Sequence, residues 1–363
     1  MTINKKNILI FCLFFLAAII LTYPLIFNIF YAIPGNGGDS FLYAWNQGWL
    51  KYCLLNFKNP YFTDSIAFPF LSNLSFSALT LINSSAGALL QFILPDILAF
   101  NIIFLLSLTI GSYFMYQLVY YLTRHRPISF FAGLALVYSS YFYAEITLGH
   151  FDYASVYFIP LFLLYLIKIY KEEKISNSVI AGFILAASFY NNAYYTFGLF
   201  ILIGLTFLFF LGQDKKFILV KTRNLLILMA TWCVVSLPLL FISLSGYFSG
   251  QYPMPTLNQV DYYSVNPALA LAPSPSQTVY GAKFVTYYPV SGHNNVIYLG
   301  FTLLILAVIA CFLFRKETDF WRSSRPWLIM SSVFFYWRLA LFFISVMIVR
   351  NFPYPSLFFM PSL

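Results

Sequence analysis

Asp39 stands in a glycine-rich turn, Pro34-Gly35-Asn36-Gly37-Gly38-Asp39-Ser40, directly after the first long apolar run of the chain. A carboxylate held about 3 Å from a hydroxyl can take its proton in a transition state, an effect worth roughly 10²–10⁴ in rate. Capping is the competing role, because a short acid after such a turn also suits the first turn of a helix. A second group of chemically able residues is Glu145, His150 and Asp152, in Tyr143-Ala-Glu-Ile-Thr-Leu-Gly-His-Phe-Asp-Tyr153. Glu145 and Asp152 would share a helix face if the helix continued through them, and Gly149 is equally suited to a turn. Ionisable residues at the mouth of an apolar helix are a functional-site expectation because burying them is costly, and the alternative is a solvated loop. A third group is late: Lys283, then His293, Asn294 and Asn295 at the start of another apolar run. A cation, a histidine and a helix N-terminus can meet a phosphate. The two asparagines would serve equally as caps.

The elements that carry these residues are built for lipid. Hydrophobic residues make up 61% of the chain and charged residues 9%, and the mean hydropathy is +0.80. An ordinary soluble domain is near a quarter charged. Spanning hydrocarbon takes about 20 apolar residues per helix, and apolar runs lie at roughly 7–28, 97–123, 128–146, 153–170, 177–193, 194–213, 222–244, 295–314 and 327–349. The expected fold is therefore an all-α polytopic membrane protein of about nine transmembrane helices. The first run has no small-residue cleavage site after it and is expected to be a retained helix, not a signal peptide. Four cysteines, three inside apolar runs, supply no disulfide framework and no zinc spacing.

Basic residues orient the fold. Lys5/Lys6, Arg124/Arg126, Lys168/Lys171/Lys174, Lys215/Lys216/Lys221/Arg223 and Arg315/Lys316/Arg322/Arg325 hold 15 of the 20 Lys and Arg residues. They fall at alternate connections, which places them and the N-terminus in the cytoplasm of a cell whose inner (plasma) membrane holds the chain. The opposite face receives 31–96, 147–152 and 245–294, and with them Asp39, Glu145, Asp152, Lys283 and His293. Crossing by the apolar stretch 76–94 would invert every later basic loop, so it is expected to lie along the outer interface. Within 31–96, Leu42, Trp45, Trp49 and Tyr52 recur at helical spacing and predict an amphipathic interfacial helix starting near Asp39. One membrane-embedded module, 1–349, is expected, with external loops 31–96 and 245–294 and a short tail, 350–363, that reads as truncated.

Nucleotide loops of the Walker kind, metal-binding His-x-x-x-His and Ser-His-Asp patterns are missing from the sequence. Nothing calls for nucleic acid. Paired broken helices of the transporter kind are not evident either, and charge inside the apolar runs is nearly confined to Arg338.

With these residues in view, the chain resembles the GT-C superfamily of polytopic membrane glycosyltransferases, which use polyprenyl-phosphate sugars, and within it the bacterial YfhO-like and mannosyltransferase-like groups. The resemblance is carried by Thr22-Tyr-Pro-Leu25, Gly37-Gly-Asp-Ser40 with Trp45, Asn59-Pro-Tyr-Phe-Thr-Asp64, Tyr138-Ser-Ser140, Gly149-His-Phe-Asp152 and His293-Asn-Asn-Val-Ile-Tyr-Leu-Gly300. It implies that the first-loop acid, here Asp39, is a catalytic base or a metal-associated carboxylate, with His150 and Asp152 assisting it. The expected activity is transfer of a sugar from a polyprenyl-phosphate donor to a lipid, glycan or protein acceptor on the outer face. Glu145, Lys283, His293, Asn294 and Tyr194 are expected around the substrate, and the tail of the donor along the aromatic helices near Tyr190, Asn191, Asn192, Tyr194 and Tyr195. No cofactor is required by this chemistry, although Asp39, Asp152 and His150 offer Mg²⁺ or Mn²⁺ a hard-oxygen site. A flippase or exporter of lipid-linked glycans, and a non-catalytic membrane protein retaining the fold, are the competing expectations.

Overall fold

The computed structural model of the chain describes residues 5–35, 37–172, 174–210 and 215–250, with single positions between 305 and 312. The chain separates into two compact units, Met1–Tyr252 and Pro253–Leu363. Every element named below belongs to the first, and its regular elements among the described residues are helices and one two-residue ladder.

Helix α1, Lys5–Leu21, ends three residues before Pro24, which cannot continue it. A 3₁₀ turn, Leu25–Asn28, and the glycine turn then lead into α2, Asp39–Asn56. The strands β1, Phe62–Thr63, and β2, Ser72–Asn73, pair antiparallel, with Phe62 opposite Asn73 and Thr63 opposite Ser72. Next comes α3, Leu81–Leu90, a helix of 10 residues, far short of a crossing. Pro95 and Asp96 open α4, Asp96–Thr123, with the acid in the first turn where the helix dipole favours it.

The apolar run 128–146, expected as one helix, is two. Helix α5, Arg126–Val137, is capped by His125, whose Nδ1 accepts from Ile128 N at 3.3 Å. Helix α6, Ser140–Leu148, starts afresh because Ser139 Oγ accepts from Phe142 N, also at 3.3 Å. A 3₁₀ turn, Tyr153–Tyr157, runs directly into α7, Phe158–Glu172. Helices α8, Ile175–Asn191, and α9, Ala193–Phe210, are split by Asn192, whose backbone is extended. Helix α10, Lys215–Phe248, is the longest among the described residues, and Pro238 lies inside it.

Among the described residues, three stretches are long and apolar enough to cross a membrane: Asp96–Thr123, Tyr153–Glu172 and Leu219–Phe248. The shorter apolar helices Leu81–Leu90, Arg126–Val137, Ile175–Asn191 and Ala193–Leu208 lie beside them in sequence. Helix α4 is the hub, packing on α1, α5, α7 and the 3₁₀ turn, while α8 packs against α10. At the second pair Gly182 is the reason for the close approach: a Cβ there would meet the Leu228 carbonyl oxygen at 2.7 Å and Thr231 Cβ at 2.6 Å. One apolar cluster joins Tyr43 to Phe100, Phe104, Leu108, Phe142 and Phe151.

The buried side of α2 differs from the expected Leu42/Trp45/Trp49/Tyr52 stripe. Ser40, Tyr43, Asn46, Gln47, Trp49, Leu50 and Cys53 face inward, whereas Tyr52 is exposed. Trp45 and Trp49 do stack, ring centroids 5.6 Å apart, at the edge of that face. Polar side chains on that face have partners inside the protein, as where Asn46 Nδ2 donates to the Ala78 carbonyl at 2.8 Å, so hydrophobicity does not mark the inner side of this helix.

Candidate functional site

Gly149 brings the two loops together. With φ +84 it ends α6 in the left-handed conformation that glycine adopts without strain. The Gly149 N–H donates to the Ile146 carbonyl and the His150 N–H to the Glu145 carbonyl, both at 3.0 Å, the bond pair of a Schellman cap. Glu145 and His150 are thereby fixed on one side of the cap. Gly149 also lies against Ser40: an added Cβ would approach Ser40 N to 3.1 Å and collide with its Oγ. Gly35, φ +102, packs on the same spot from the other side, and its added Cβ would stand 2.9 Å from Gly149 Cα. A continuous helix through 149 would have lost this contact, and with it the approach of His150 to Asp39.

The result is a line of three side chains leading inward from the protein surface. Asp39 is the first residue of α2, and its Oδ2 is 3.3 Å from His150 Nε2. His150 Nδ1 is 2.7 Å from Glu145 Oε2. Side-chain exposure falls from 58% at Asp39 to 19% at His150 and 4% at Glu145. Asp39 is not the cap of α2; Gly38 occupies that position and no side-chain cap bond is made there. Its carboxylate is directed to the histidine. The His150–Glu145 hydrogen bond raises the His150 pKa above its ordinary value, against the opposing pull of partial burial, with the charges of Glu145, Asp152 and Asp39 adding to the rise. The imidazole therefore holds its proton to higher pH than a free histidine.

Asp152 lies deeper and has other partners. Tyr43 Oη donates to its Oδ1 at 2.7 Å, and Asn192 Nδ2 donates to its Oδ2 at 3.1 Å. Burial pushes the Asp152 carboxyl up to about 6 despite the Tyr43 hydrogen bond and the nearby imidazole. The Tyr43 hydroxyl is pushed well above the usual phenol range, first by burial and then by the Asp152 charge. Asn192 serves two helices at once, because its Oδ1 accepts from Tyr195 N at 3.0 Å and so caps α9. Next to it, Asn191 Oδ1 accepts from the N–H groups of Ile82 and Asn83, each at 3.1 Å, which caps α3 from another helix. Asn191 Nδ2 also bonds Ser155 Oγ. A small cavity lined in part by Tyr43, Gln47, Thr80, Asn83, Ser84 and Ser107 sits below this network.

Of the residues expected at the site, the structure brings together Asp39, Glu145, His150 and Asp152. Tyr194 stands on α9 with its side chain at the surface, 74% exposed. Lys283, His293 and Asn294 lie outside the described residues. The Mg²⁺ or Mn²⁺ role for Asp39, Asp152 and His150 does not fit the arrangement. Both Asp152 oxygens are engaged by Tyr43 and Asn192, both His150 nitrogens face carboxylates, and no group of three His, Cys, Asp or Glu side chains is disposed to hold a metal ion among the described residues. Tyr43 is the partner that the motifs did not single out. Its signal was its place four residues after Asp39, on the same face of α2. No protein-family model matches the chain, and no curated protein matches it in sequence.

Chemically, the triplet joins an exposed carboxylate to an imidazole whose tautomer is set from behind. With Nδ1–H given to Glu145, Nε2 faces the Asp39 carboxylate at 3.3 Å and forms an ion pair with it when the imidazole is protonated. An acid so placed can accept a proton from a hydroxyl that reaches its exposed side.

Proposed function

We propose that the chain is an integral membrane glycosyltransferase of the GT-C kind, with about nine spans and an N-terminus in the cytoplasm of a cell bounded by that membrane. It moves a sugar from a polyprenyl-phosphate donor to a lipid, glycan or protein hydroxyl on the outer face. The observation that carries this reading is the Asp39–His150–Glu145 line, in which only the outermost carboxylate is open to an incoming substrate. Asp39 takes the proton of the acceptor hydroxyl as its oxygen attacks the anomeric carbon, and the bond from that carbon to the phosphate breaks with its electron pair leaving on polyprenyl phosphate. The leaving group is already activated, so neither a nucleotide nor an enzyme nucleophile is needed. His150 positions Asp39, and Glu145 positions His150. Tyr194, whose side chain is exposed on α9, is assigned to the lipid-facing approach of the donor.

The test is transfer of radiolabelled sugar from polyprenyl-phosphate donors to a lipid extract, in membranes holding equal amounts of wild type, Asp39→Asn or Asp39→Ala. Transfer by the wild type that falls about 10²-fold or more in both variants is the expected result. Equal transfer by all three would remove Asp39 from the chemistry. Absence of transfer in every sample, with a longer transferase active in parallel, would favour a glycan exporter or a non-catalytic protein.

A further inference from the structure

Between β1 and β2 the chain turns through Asp64-Ser-Ile-Ala-Phe-Pro-Phe-Leu71 and presents Ile66, Phe68, Phe70 and Leu71 outward, with Phe68 83% and Phe70 75% exposed. The whole stretch 59–95 contains a single charged residue, Asp64. Four large apolar side chains displayed together on a turn are disfavoured against water.

The base of this hairpin fixes its level in the membrane. Tyr61 and Leu74, flanking the two strands, share an apolar cluster with Trp49, Cys53 and Leu239, and Phe62 and Ile242 pack at its edge. Leu239 and Ile242 belong to α10, whose last charged residue is Arg223. Hydrocarbon of about 30 Å, traversed at about 1.5 Å per residue, would end near residue 243 if it began at Arg223. Leu239 then lies about 6 Å inside the apolar layer by the same rise. Along this end of α10, Val234, Leu237, Phe241 and Leu244 are exposed, as expected of a lipid-facing helix. The hairpin is anchored against α10 at that depth, and its apolar tip continues the lipid-facing surface.

We propose that the 64–71 tip is a membrane wedge: Ile66, Phe68, Phe70 and Leu71 insert among the acyl chains of the outer leaflet and pin the first external segment to the bilayer. The partner is lipid, whose acyl chains suit phenylalanine and leucine without asking for hydrogen bonds. The short ladder pairs part of the backbone at the base, the Leu74 N–H donates to the Tyr61 carbonyl at 2.7 Å, and within the tip the Phe70 N–H donates to the Ala67 carbonyl at 2.8 Å. The wedge rests on α10 crossing the membrane and is independent of the transferase reading.

Collision accessibility of a nitroxide tests it. The label is placed at Phe68→Cys in a full-length chain carrying Cys12→Ser, Cys233→Ser and Cys311→Ser, with buried Cys53 retained, reconstituted into phosphatidylcholine–phosphatidylglycerol liposomes with reagent on both sides. References are the same label at Val234→Cys, on the exposed side of α10, and at Lys174→Cys, in a polar connection. Phe68 is a surface side chain, so its replacement leaves the core intact. Molecular oxygen is expected to relax the label at 68 as it does at 234, with an oxygen-to-nickel-chelate ratio several-fold above that at 174. A ratio like that at 174 would place the tip in water and overturn the wedge. Low accessibility to both reagents would mean that protein covers the tip, which overturns it equally.

Discussion

At the scale of single residues the site is an arrangement of protons. His150 has a raised pKa because Glu145 binds its Nδ1–H, and Asp152 is raised to about 6 because it is buried. Both shifts have the same sign in stability. A group that binds its proton more tightly when folded stabilises the fold at pH values below its unfolded pKa and loses that contribution as pH rises through its folded pKa. For Asp152 the contribution is complete below about 4, the ordinary carboxylate range, and is lost by the time pH has passed about 6. For His150 the loss comes above the ordinary imidazole value. The purified protein is therefore expected to lose thermal stability as pH rises from about 4 through 6, and Asp152→Asn to flatten that part of the profile. A decline of unchanged slope in the variant would assign it to other groups. Glu145→Gln is expected to lower sugar transfer and move the alkaline side of its pH profile downward, because His150 then loses the proton-holding partner. Loss of transfer with an unmoved profile would reduce Glu145 to a structural part.

At the scale of elements, short breaks do the positioning. The turn at Gly149 separates α6 from the 3₁₀ turn and seats His150 beside Asp39, and Asn192 separates α8 from α9 while holding Asp152. An alanine at 149 must adopt a left-handed backbone, at about 1–2 kcal/mol, and must also push against Ser40. Gly149→Ala is expected to lose at least that much stability, measured by denaturation in detergent, and to lose transfer activity as well. Full activity in a destabilised variant would show that the Asp39–His150 contact is dispensable. The breaks themselves were half legible. Gly149 was equally consistent with a turn or a continued helix, because glycine does not require a positive φ; it only tolerates one. Ser139 gave no clear sign inside an apolar run, and 128–146 therefore looked like one span. The cap is a local hydrogen bond that leaves the hydrophobic pattern unchanged.

At the scale of the whole molecule, orientation follows from charge. If the basic connections are cytoplasmic, a cysteine at Lys174 should react with a membrane-impermeant maleimide only after the cells are opened, and one at Lys58, exposed ahead of the hairpin, should react in intact cells. The reverse pattern would turn the protein over and put Asp39 on the wrong face for the proposed transfer. That the chain is mostly helical and apolar enough to cross a membrane was determined by the sequence alone, since backbone groups in lipid must be satisfied within the segment and about 20 apolar residues report that requirement directly. The placing of Asp39 at the head of α2 was equally legible from its glycine turn. Tertiary structure alone decided which side of α2 faces inward, which carboxylate meets the histidine, and that Tyr43 and Asn192 engage both oxygens of Asp152. The physical reason is that lipid accepts apolar side chains as readily as a protein core does. Hydrophobicity therefore marks the membrane but not the interior, and the partners of buried polar groups are chosen by chain segments that meet more than a hundred residues apart, as Tyr43 and Asp152 do.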